Sequence, residues 1–329
     1  MTALAPTLQK FFTDRLLTQR DASPHTVAAY RDTFRLLLTY VHETRAIPPH
    51  QLDLTDLDAT VVGEFLHHLE HDRHNSVRTR NTRLAAIHSF YRYAAVHHPE
   101  HASLIQRVLA IPSKRHDKAI LTYLTDTELD ALLAAINTTT WLGRRDHALI
   151  ITAAQTGFRV SELTTLTLNQ THLDVGAHLT CLGKGRKHRA TPLTAQTTTV
   201  LRTWLAERAA QPDDPVFPTR QGRPLSRDAV AKLLRKHVSA ATPTCPSLTT
   251  KTITPHTLRH TAAMRLLHAG VDTTVIALWL GHESVETTSI YLHADMTIKQ
   301  RAIDRTTPTT SKPGRYQPPD KLLAFLETL

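Results

Sequence analysis

In the first third of the chain, apolar residues recur at steps of three and four, which is the spacing of one face of an α-helix. The pattern is clearest after Ser23-Pro24, where a serine cap and a proline in the first turn open a helix. Two further apolar stripes run through residues 60–69 and 77–96. We therefore predict a helical domain over residues 1–108. The first stripe consists of Val27, Tyr30, Phe34, Leu37 and Val41.

Residues 109–124 interrupt this periodicity with a proline and a cluster of basic residues, which is typical of an exposed linker. The capping box that joins Thr125 to Glu128 then opens a second domain, which we predict over residues 125–305. Within it, a glycine-bracketed turn separates the stretches 178–182 and 189–193 and predicts a β-hairpin. The expected fold class is mainly α with a small β-sheet, followed by a tail over residues 306–329.

The composition of the 329 residues narrows the class of protein further. With 41% hydrophobic and 21% charged residues, the chain has enough apolar material for two folded cores. No apolar run approaches the ~20 residues that a membrane span needs, and the amino terminus lacks the apolar core of a secretory signal. We therefore expect a cytoplasmic protein. Only two cysteines occur, so neither a disulfide framework nor a cysteine-based zinc site is indicated.

The formal net charge of +10 favours a polyanionic partner, and nucleic acid is the commonest one inside a cell. Charge alone does not decide the question, because many basic proteins bind no nucleic acid. The basic residues that we expect at a DNA surface lie on the third predicted helix, in the linker and in the hairpin turn. They are Arg80, Arg83, Arg92, Lys114, Arg115, Arg186 and Lys187.

Four short segments of the second domain combine residue types that carry chemistry. They are TGFRVSEL at 156–163, GKGRKHR at 183–189, PHTLRH at 255–260, and LGH at 280–282, which precedes Tyr291. Each segment alone has a structural explanation: Arg159 and Glu162, for instance, are three positions apart and suit a helical ion pair. Only the four together form a complete set for phosphoryl transfer.

In that set, Arg159 and Arg259 can each fork onto the non-bridging oxygens of a phosphodiester and stabilise its developing charge without a metal. Tyr291 is the candidate nucleophile, because a tyrosine hydroxyl that attacks phosphorus forms a covalent intermediate. We expect no metal and no cofactor.

The remaining residues of the set can move protons or bind the phosphate. Lys184, with Lys187 as a substitute, can protonate the departing 5′ oxygen. His256 can take the proton of the tyrosine, and His282 can donate a hydrogen bond to the phosphate.

In their residues and in their order along the chain, these segments resemble those of the tyrosine recombinases, the family of the phage integrases and the Xer recombinases. TGFRVSEL is similar to the first arginine box of the family, LGKGRKHRATPL to its lysine hairpin, and residues 255–295 to its carboxy-terminal box. The stretches SPHTVAAYRDTFRLLLTYV and RTRNTRLAAIHSFYRYA resemble the helical, SAM-like core-binding domain.

The resemblance implies a two-domain clamp on double-stranded DNA and a homotetramer, or a heterotetramer with related recombinases, on two DNA sites. It further implies a 3′-phosphotyrosine at Tyr291, a Holliday junction, and a supporting role for Glu162 beside the arginines. The long tail favours integration or excision of a mobile element over Xer-type resolution of replicon dimers, and we expect association with the nucleoid. In the tail, Leu322, Leu326 and Leu329 suit docking on a neighbouring subunit.

Two other classes of function stay open at this point. His256 and His260 are four positions apart, as zinc ligands on one helical face can be, although no third ligand of a hydrolase is marked. A DNA-binding protein without catalysis would use the same arginines and lysines to neutralise phosphates. Such a protein has no need of Tyr291 or of a proton donor at fixed spacing.

Overall fold

The computed structural model describes residues 3–115, 121–183, 188–208 and 211–282, together with Thr288 and Tyr291. The chain divides into two compact units, Met1–Ala119 and Ile120–Leu329, and the division falls within the segment predicted as a linker. The fold is mainly α with a small β-sheet, as predicted. Among the described residues, no helix has the length and apolar character that crossing a membrane requires.

Over its described residues, the regular elements of the first unit are helices, joined by short turns and accompanied by one isolated β-bridge between Ala3 and Asp53. Ser23 caps the second helix by accepting the backbone N–H of Thr26, and Pro24 occupies the first turn, as the sequence predicts. Ser76 caps the fourth helix in the same way through Thr79. The helices are α1 (Leu4–Lys10), which continues with π-helical geometry over Phe11–Gln19, α2 (Pro24–Arg45), α3 (Ala59–His71), α4 (Val77–His97) and α5 (Ala102–Leu109).

An aromatic cluster forms the centre of the core of the first unit. The ring of Phe11 lies 5.5 Å from that of Phe90, which lies 5.2 Å from that of Phe34, and both pairs meet edge to face, a favourable geometry for aromatic rings. The apolar stripe predicted over residues 77–96 faces this core, since Leu84, Ile87 and Tyr91 of α4 are buried. One of them, Tyr91, donates its hydroxyl hydrogen to the carbonyl of Leu57 and so satisfies its polar atom.

The second unit carries the sheet and seven helices over its described residues. β2 pairs with β1 and β3 in antiparallel register, and the β2–β3 hairpin is the one that the sequence predicts. The elements are α6 (Asp126–Ala134), α7 (Trp141–Thr156), α8 (Val160–Thr164), β1 (Thr171–His172), β2 (His178–Leu182), β3 (His188–Pro192), α9 (Ala195–Ala206), α10 (Arg227–Ala241), α11 (Pro255–His268) and α12 (Thr273–Leu280).

Helix α7 lies at the centre of the second unit, where it packs against α9 and α11. The predicted capping box is present at the start of α6, where Thr125 and Glu128 exchange their hydrogen bonds. Leu124 is buried, and its amide donates to the hydroxyl of Thr261 at 2.9 Å. The end of the predicted linker therefore packs as part of the second unit instead of being exposed.

A buried polar network joins α7 to α10. Asp146 is 3% exposed; one of its oxygens accepts from Arg145 at 2.6 Å, and the other lies 2.9 Å from Nε2 of His237. Burial alone would raise the pKa of Asp146, but the hydrogen bonds from His237 and Arg145 hold that pKa below its ordinary value. The carboxylate is therefore the shared partner of two basic side chains in the interior.

Removing this carboxylate should destabilise the second unit strongly. Asp146→Ala leaves the guanidinium of Arg145 buried without its ionic partner, and we expect a loss of about 3–5 kcal/mol in the free energy of unfolding. Urea denaturation followed by tryptophan fluorescence measures the loss, since Trp141, Trp204 and Trp279 all lie in the second unit.

The matched control is Asp126→Ala, which removes the carboxylate partner of another arginine, Arg265, at 2.9 Å. That pair is 74% and 49% exposed, so we expect a loss of only about 0–1 kcal/mol. Equal losses for the two variants would contradict the importance of burial in the Asp146 network.

Candidate active site

The structure brings the predicted catalytic residues of three sequence segments together in the second unit. Arg159 lies at the start of α8, His256 and Arg259 lie on α11, and His282 follows α12 close to Tyr291. Lys184, Arg186 and Lys187 of the hairpin turn lie outside the described residues.

Arg159 is positioned by the sharp end of α7. Gly157 there has a φ of +66°, and a Cβ at this position would lie 2.5 Å from a methyl carbon of Leu280, so glycine allows the two helices to approach. The guanidinium of Arg159 donates to Glu162 at 2.9 Å and to the carbonyl of Gly281 at 3.1 Å. With 29% of its side chain exposed, Arg159 keeps access to a ligand from outside.

Arg259 is 2% exposed and is held by carbonyls at the ends of two helices. It donates to the carbonyl of Gly157 at 2.7 Å and to that of Leu280 at 2.7 Å. Burial and the neighbouring Arg159 and Arg189 lower the pKa of Arg259 to about 10, so that it remains charged at neutral pH. Carbonyls at helix C-termini carry the negative end of the helix dipole and suit a buried cation.

Tyr291 is 1% exposed, and its hydroxyl lies 3.1 Å from Nδ1 of His260. Burial raises the pKa of Tyr291, whereas the positive charges of Arg259 and Arg159 act to lower it. The ring of His282 lies nearly parallel to the Tyr291 ring, with 6.4 Å between centroids. The tyrosine therefore sits between two imidazoles and within the field of two guanidiniums.

From the sequence, His256 is the predicted acceptor of the tyrosine proton, but the structure places His260 against the hydroxyl. His256 packs edge-on against His260, with 4.4 Å between ring centroids. Both lie on α11, four positions apart, and the turn of the helix directs His260 toward Tyr291. Of the two histidines, His260 is therefore the one in hydrogen-bond distance of the Tyr291 hydroxyl, and a role for His256 in taking the proton stays a prediction.

The three histidines of the site are all biased toward the neutral form. Burial, followed by nearby positive charge, lowers the pKa of His260 and of His282 to about 4 each. The same causes lower the pKa of His256. At neutral pH each imidazole is therefore uncharged and able to accept a proton.

Arg189 is a site residue that the sequence analysis missed. Its guanidinium contacts Glu162 at 2.8 and 3.4 Å and donates to the carbonyl of Leu280 at 2.7 Å. The register of the predicted hairpin could have indicated this role, because Arg189 on β3 is opposite the buried Cys181 on β2. A charged residue at an inward strand position needs a buried partner, and Glu162 is that partner.

In the first unit, Arg80 does not fit its predicted role as a DNA contact. It is 6% exposed and donates to the carbonyl of Pro112 at 3.0 Å. Glu70 lies 4.0 Å from Arg80 and 2.6 Å from Nζ of Lys114. Arg80 therefore stabilises the segment after α5, while Lys114 stays half exposed beside Glu70.

The other predicted DNA contacts of the first unit differ in their exposure. Arg83 is partly buried and donates to the hydroxyl of Thr33 at 3.1 Å. Arg92 and Arg115 are exposed. Of these three, the two exposed arginines are the more accessible to a polyanion.

The alternative of a zinc hydrolase depended on His256 and His260. The two rings are close, but over the ranges that the structure describes no group of three or more His, Cys, Asp and Glu side chains is arranged to hold a metal ion. The zinc alternative gains no support from these residues.

Comparison with known proteins reveals similarity along most of the chain. Residues 122–297 match the phage integrase family, and residues 10–98 match the phage integrase N-terminal SAM-like domain. An integrase/recombinase of Sinorhizobium fredii, y4rC, is 51% identical over 327 residues, which cover 99% of this chain and 98% of that protein.

Two further similarities concern Xer proteins. The tyrosine recombinase XerC of Pelobacter propionicus is 31% identical over 91% of this chain and 94% of its own length. A crystal structure of the XerH site-specific recombinase, in a post-cleavage complex with its palindromic difH substrate, shares the fold with a TM-score of 0.69. It is 23% identical, over 87% of this chain and 81% of that chain.

The approach of Arg189 to the end of α12 should depend on Gly281. A Cβ at Gly281 would lie 2.5 Å from Nη1 of Arg189, and the residue has a φ of +64°. Gly281→Ala should therefore displace the guanidinium from Glu162 and from the Leu280 carbonyl. The loss of these buried hydrogen bonds should add clearly to the ~1 kcal/mol of backbone strain expected at a left-handed position. Urea denaturation followed by tryptophan fluorescence measures the difference.

Gly270→Ala is the control, since Gly270 follows α11 with a φ of +82° and a Cβ there would meet nothing within 4 Å. Gly270→Ala introduces the same backbone strain, but its new Cβ collides with no side chain. If Gly281→Ala were no more destabilising than Gly270→Ala, the close packing of Arg189 on α12 would be wrong.

Proposed function

Because the chain belongs to the phage integrase family of tyrosine recombinases, we propose that it cuts and rejoins DNA strands at a specific site through a covalent bond to Tyr291. One observation carries the proposal: the hydroxyl of Tyr291 lies beside a neutral imidazole, in a site where Arg159 and Arg259 place positive charge. This combination suits attack on a phosphodiester and is more than phosphate binding alone requires.

Arg159 and Arg259 bind the scissile phosphate in this proposal. Each guanidinium carries five N–H groups, so it can donate to its two acceptors in the protein and still donate to phosphate oxygens. Their positive charges stabilise the negative charge that develops on the non-bridging oxygens. The same charges favour the tyrosinate form of Tyr291 and so oppose the effect of burial.

The proposed reaction makes and breaks the following bonds. The oxygen of Tyr291 attacks phosphorus while its proton passes to His260, and the bond from phosphorus to the 5′ oxygen breaks. Lys184 protonates the departing oxygen, and His282 donates a hydrogen bond to the phosphate. The products are a 3′-phosphotyrosine and a free 5′-hydroxyl, and attack by a partner 5′-hydroxyl reverses the step and forms a Holliday junction.

We assign residues 1–108 to DNA binding and residues 125–305 to catalysis, with double-stranded DNA as the partner and a tetramer on two sites as the working assembly. The DNA-bound XerH complex supports the DNA partner. Integration or excision of a mobile element is the role that we favour, because the relative at 51% identity is named an integrase/recombinase. Xer-type resolution of replicon dimers is the alternative, on the similarity to XerC. In either role, we propose that the protein associates with the nucleoid.

The proposal predicts a covalent protein–DNA adduct that depends on Tyr291. The full-length protein is incubated with nicked duplexes from the DNA flanking its own gene, and adducts are separated on denaturing gels. We expect an adduct with the wild type and none with Tyr291→Phe, because phenylalanine lacks the nucleophilic oxygen. We expect the same yield in EDTA, since the proposed reaction uses no metal.

Other outcomes identify the alternatives. Specific binding of these duplexes without an adduct would favour a DNA-binding protein that lacks catalysis. An adduct that persisted in Tyr291→Phe would place the nucleophile elsewhere, and loss of the adduct in EDTA would favour metal-dependent chemistry.

A second prediction separates proton donation from proton acceptance. A duplex with sulfur in place of the bridging 5′ oxygen has a leaving group that needs no proton. We expect Lys184→Ala to slow adduct formation by about 10²–10⁴-fold on ordinary DNA. On the sulfur substrate, the rate of this variant should return to that of the wild type. His260→Gln, which impairs attack by the tyrosine, should stay slow on both substrates.

Lys187→Ala is the matched control, since Lys187 occupies the same hairpin turn. Any loss that follows from its weaker contact with DNA should be equal on the two substrates, so we expect no recovery that is specific to the sulfur substrate. Recovery of Lys187→Ala instead of Lys184→Ala would make Lys187 the proton donor, and recovery of His260→Gln would remove His260 from the attack step.

A further inference from the structure

We propose that Arg189 is a positioning residue that engages Glu162 and thereby leaves the guanidinium of Arg159 available for the phosphate. The inference rests on the proposed role of Arg159 in binding the scissile phosphate. It concerns a residue whose guanidinium is engaged by acceptors of the protein, namely both oxygens of Glu162 and the carbonyl of Leu280.

The contacts of Glu162 show how the two arginines divide its carboxylate. Arg189 forks across both oxygens, at 2.8 Å to Oε2 and 3.4 Å to Oε1. Arg159 donates a single side-chain hydrogen bond to Oε1 at 2.9 Å, and its backbone N–H donates to Oε2 at 2.7 Å. Without Arg189, the buried carboxylate would draw the guanidinium of Arg159 into the forked position, because paired forks are the strongest geometry for these two groups.

The net charge of the cluster also supports this role of Arg189. Among the described residues in hydrogen-bond contact here, three guanidiniums, those of Arg159, Arg189 and Arg259, face the one carboxylate of Glu162, which leaves two net positive charges. A phosphodiester carries one negative charge and gains a second as the tyrosine oxygen attacks. Loss of Arg189 halves the net charge that stabilises this state.

The surroundings of Arg189 hold it in this role. Its guanidinium carbon lies 4.8 Å from the centre of the Phe158 ring, a cation–π distance, and Nη1 donates to the carbonyl of Leu280. Gly281 provides the space for the guanidinium, since any Cβ there would collide with Nη1. These contacts hold the guanidinium of Arg189 inside the protein, where it can bind Glu162.

The test compares phosphate binding by four full-length proteins: the wild type, Arg189→Met, Glu162→Gln, and the double variant Arg189→Met with Glu162→Gln. Inorganic phosphate is titrated by calorimetry, and Arg159→Met defines the part of the binding that needs Arg159. We expect Arg189→Met to weaken that part by about tenfold, the scale of one charged hydrogen bond. In the double variant the net charge returns to two positive, and we expect binding within about threefold of the wild type, because no carboxylate remains to capture Arg159.

A purely structural role of Arg189 predicts a different order of phosphate affinities among the variants. If Arg189 served only to fill space, the double variant would bind phosphate as weakly as Arg189→Met or more weakly. That result would overturn the inference, as would phosphate binding that does not depend on Arg159 in the wild type. If Arg189→Met does not fold by tryptophan fluorescence, Arg189→Lys takes its place: it keeps the charge but not the fork, and we expect a severalfold loss that Glu162→Gln again reverses.

Adduct formation on the same proteins separates this inference from the proposed function. If phosphate binding follows the expected ranking but the wild type forms no adduct, Arg189 has the positioning role and the recombinase reaction is wrong. If the wild type forms a Tyr291-dependent adduct but all four proteins bind phosphate equally, the reaction stands and the role of Arg189 is wrong.

Discussion

The carbonyl of Leu280, at the end of α12, is the point on which the site depends. It accepts hydrogen bonds from both Arg189 and Arg259, at 2.7 Å each, because the last carbonyls of a helix have no partner within the helix. The left-handed Gly281 ends α12, and its own carbonyl accepts from Arg159. Trp279 fixes the helix to the end of α7 through the carbonyl of Thr156. Two helix ends thus hold three buried or half-buried cations without a carboxylate for each.

This arrangement sets the chemistry of the neighbouring side chains. Burial and positive charge together keep His260 and His282 neutral at neutral pH, with each pKa lowered to about 4. On Tyr291 the two effects oppose each other, because burial disfavours the tyrosinate and the guanidiniums favour it. In the described part of the site, three guanidiniums are gathered around the single carboxylate of Glu162. Such a site is prepared to stabilise an anion, which is what strand cleavage through a phosphotyrosine demands.

The sequence allowed much of this to be predicted, and the misses have physical causes. Ser23, the Thr125 capping box and the β-hairpin follow from local rules of capping and strand pattern, so they could be read from short stretches. The sequence does not indicate that His260 meets Tyr291, because which of two histidines on α11 reaches the tyrosine depends on the packing of helices far apart in sequence. Arg80 looked like a DNA contact because charge alone does not reveal burial against Pro112. Arg189 was missed since its partner, Glu162, is 27 positions away.

The most direct test of the central claim is to identify the atom that bonds to DNA. The adduct is digested with protease and nuclease, and the modified peptide is sequenced by mass spectrometry. The account predicts one modified residue, Tyr291, which carries a nucleotide through its 3′-phosphate, with a free 5′-hydroxyl on the released strand. A nucleotide on any other residue, or a link through a 5′-phosphate, would contradict the account.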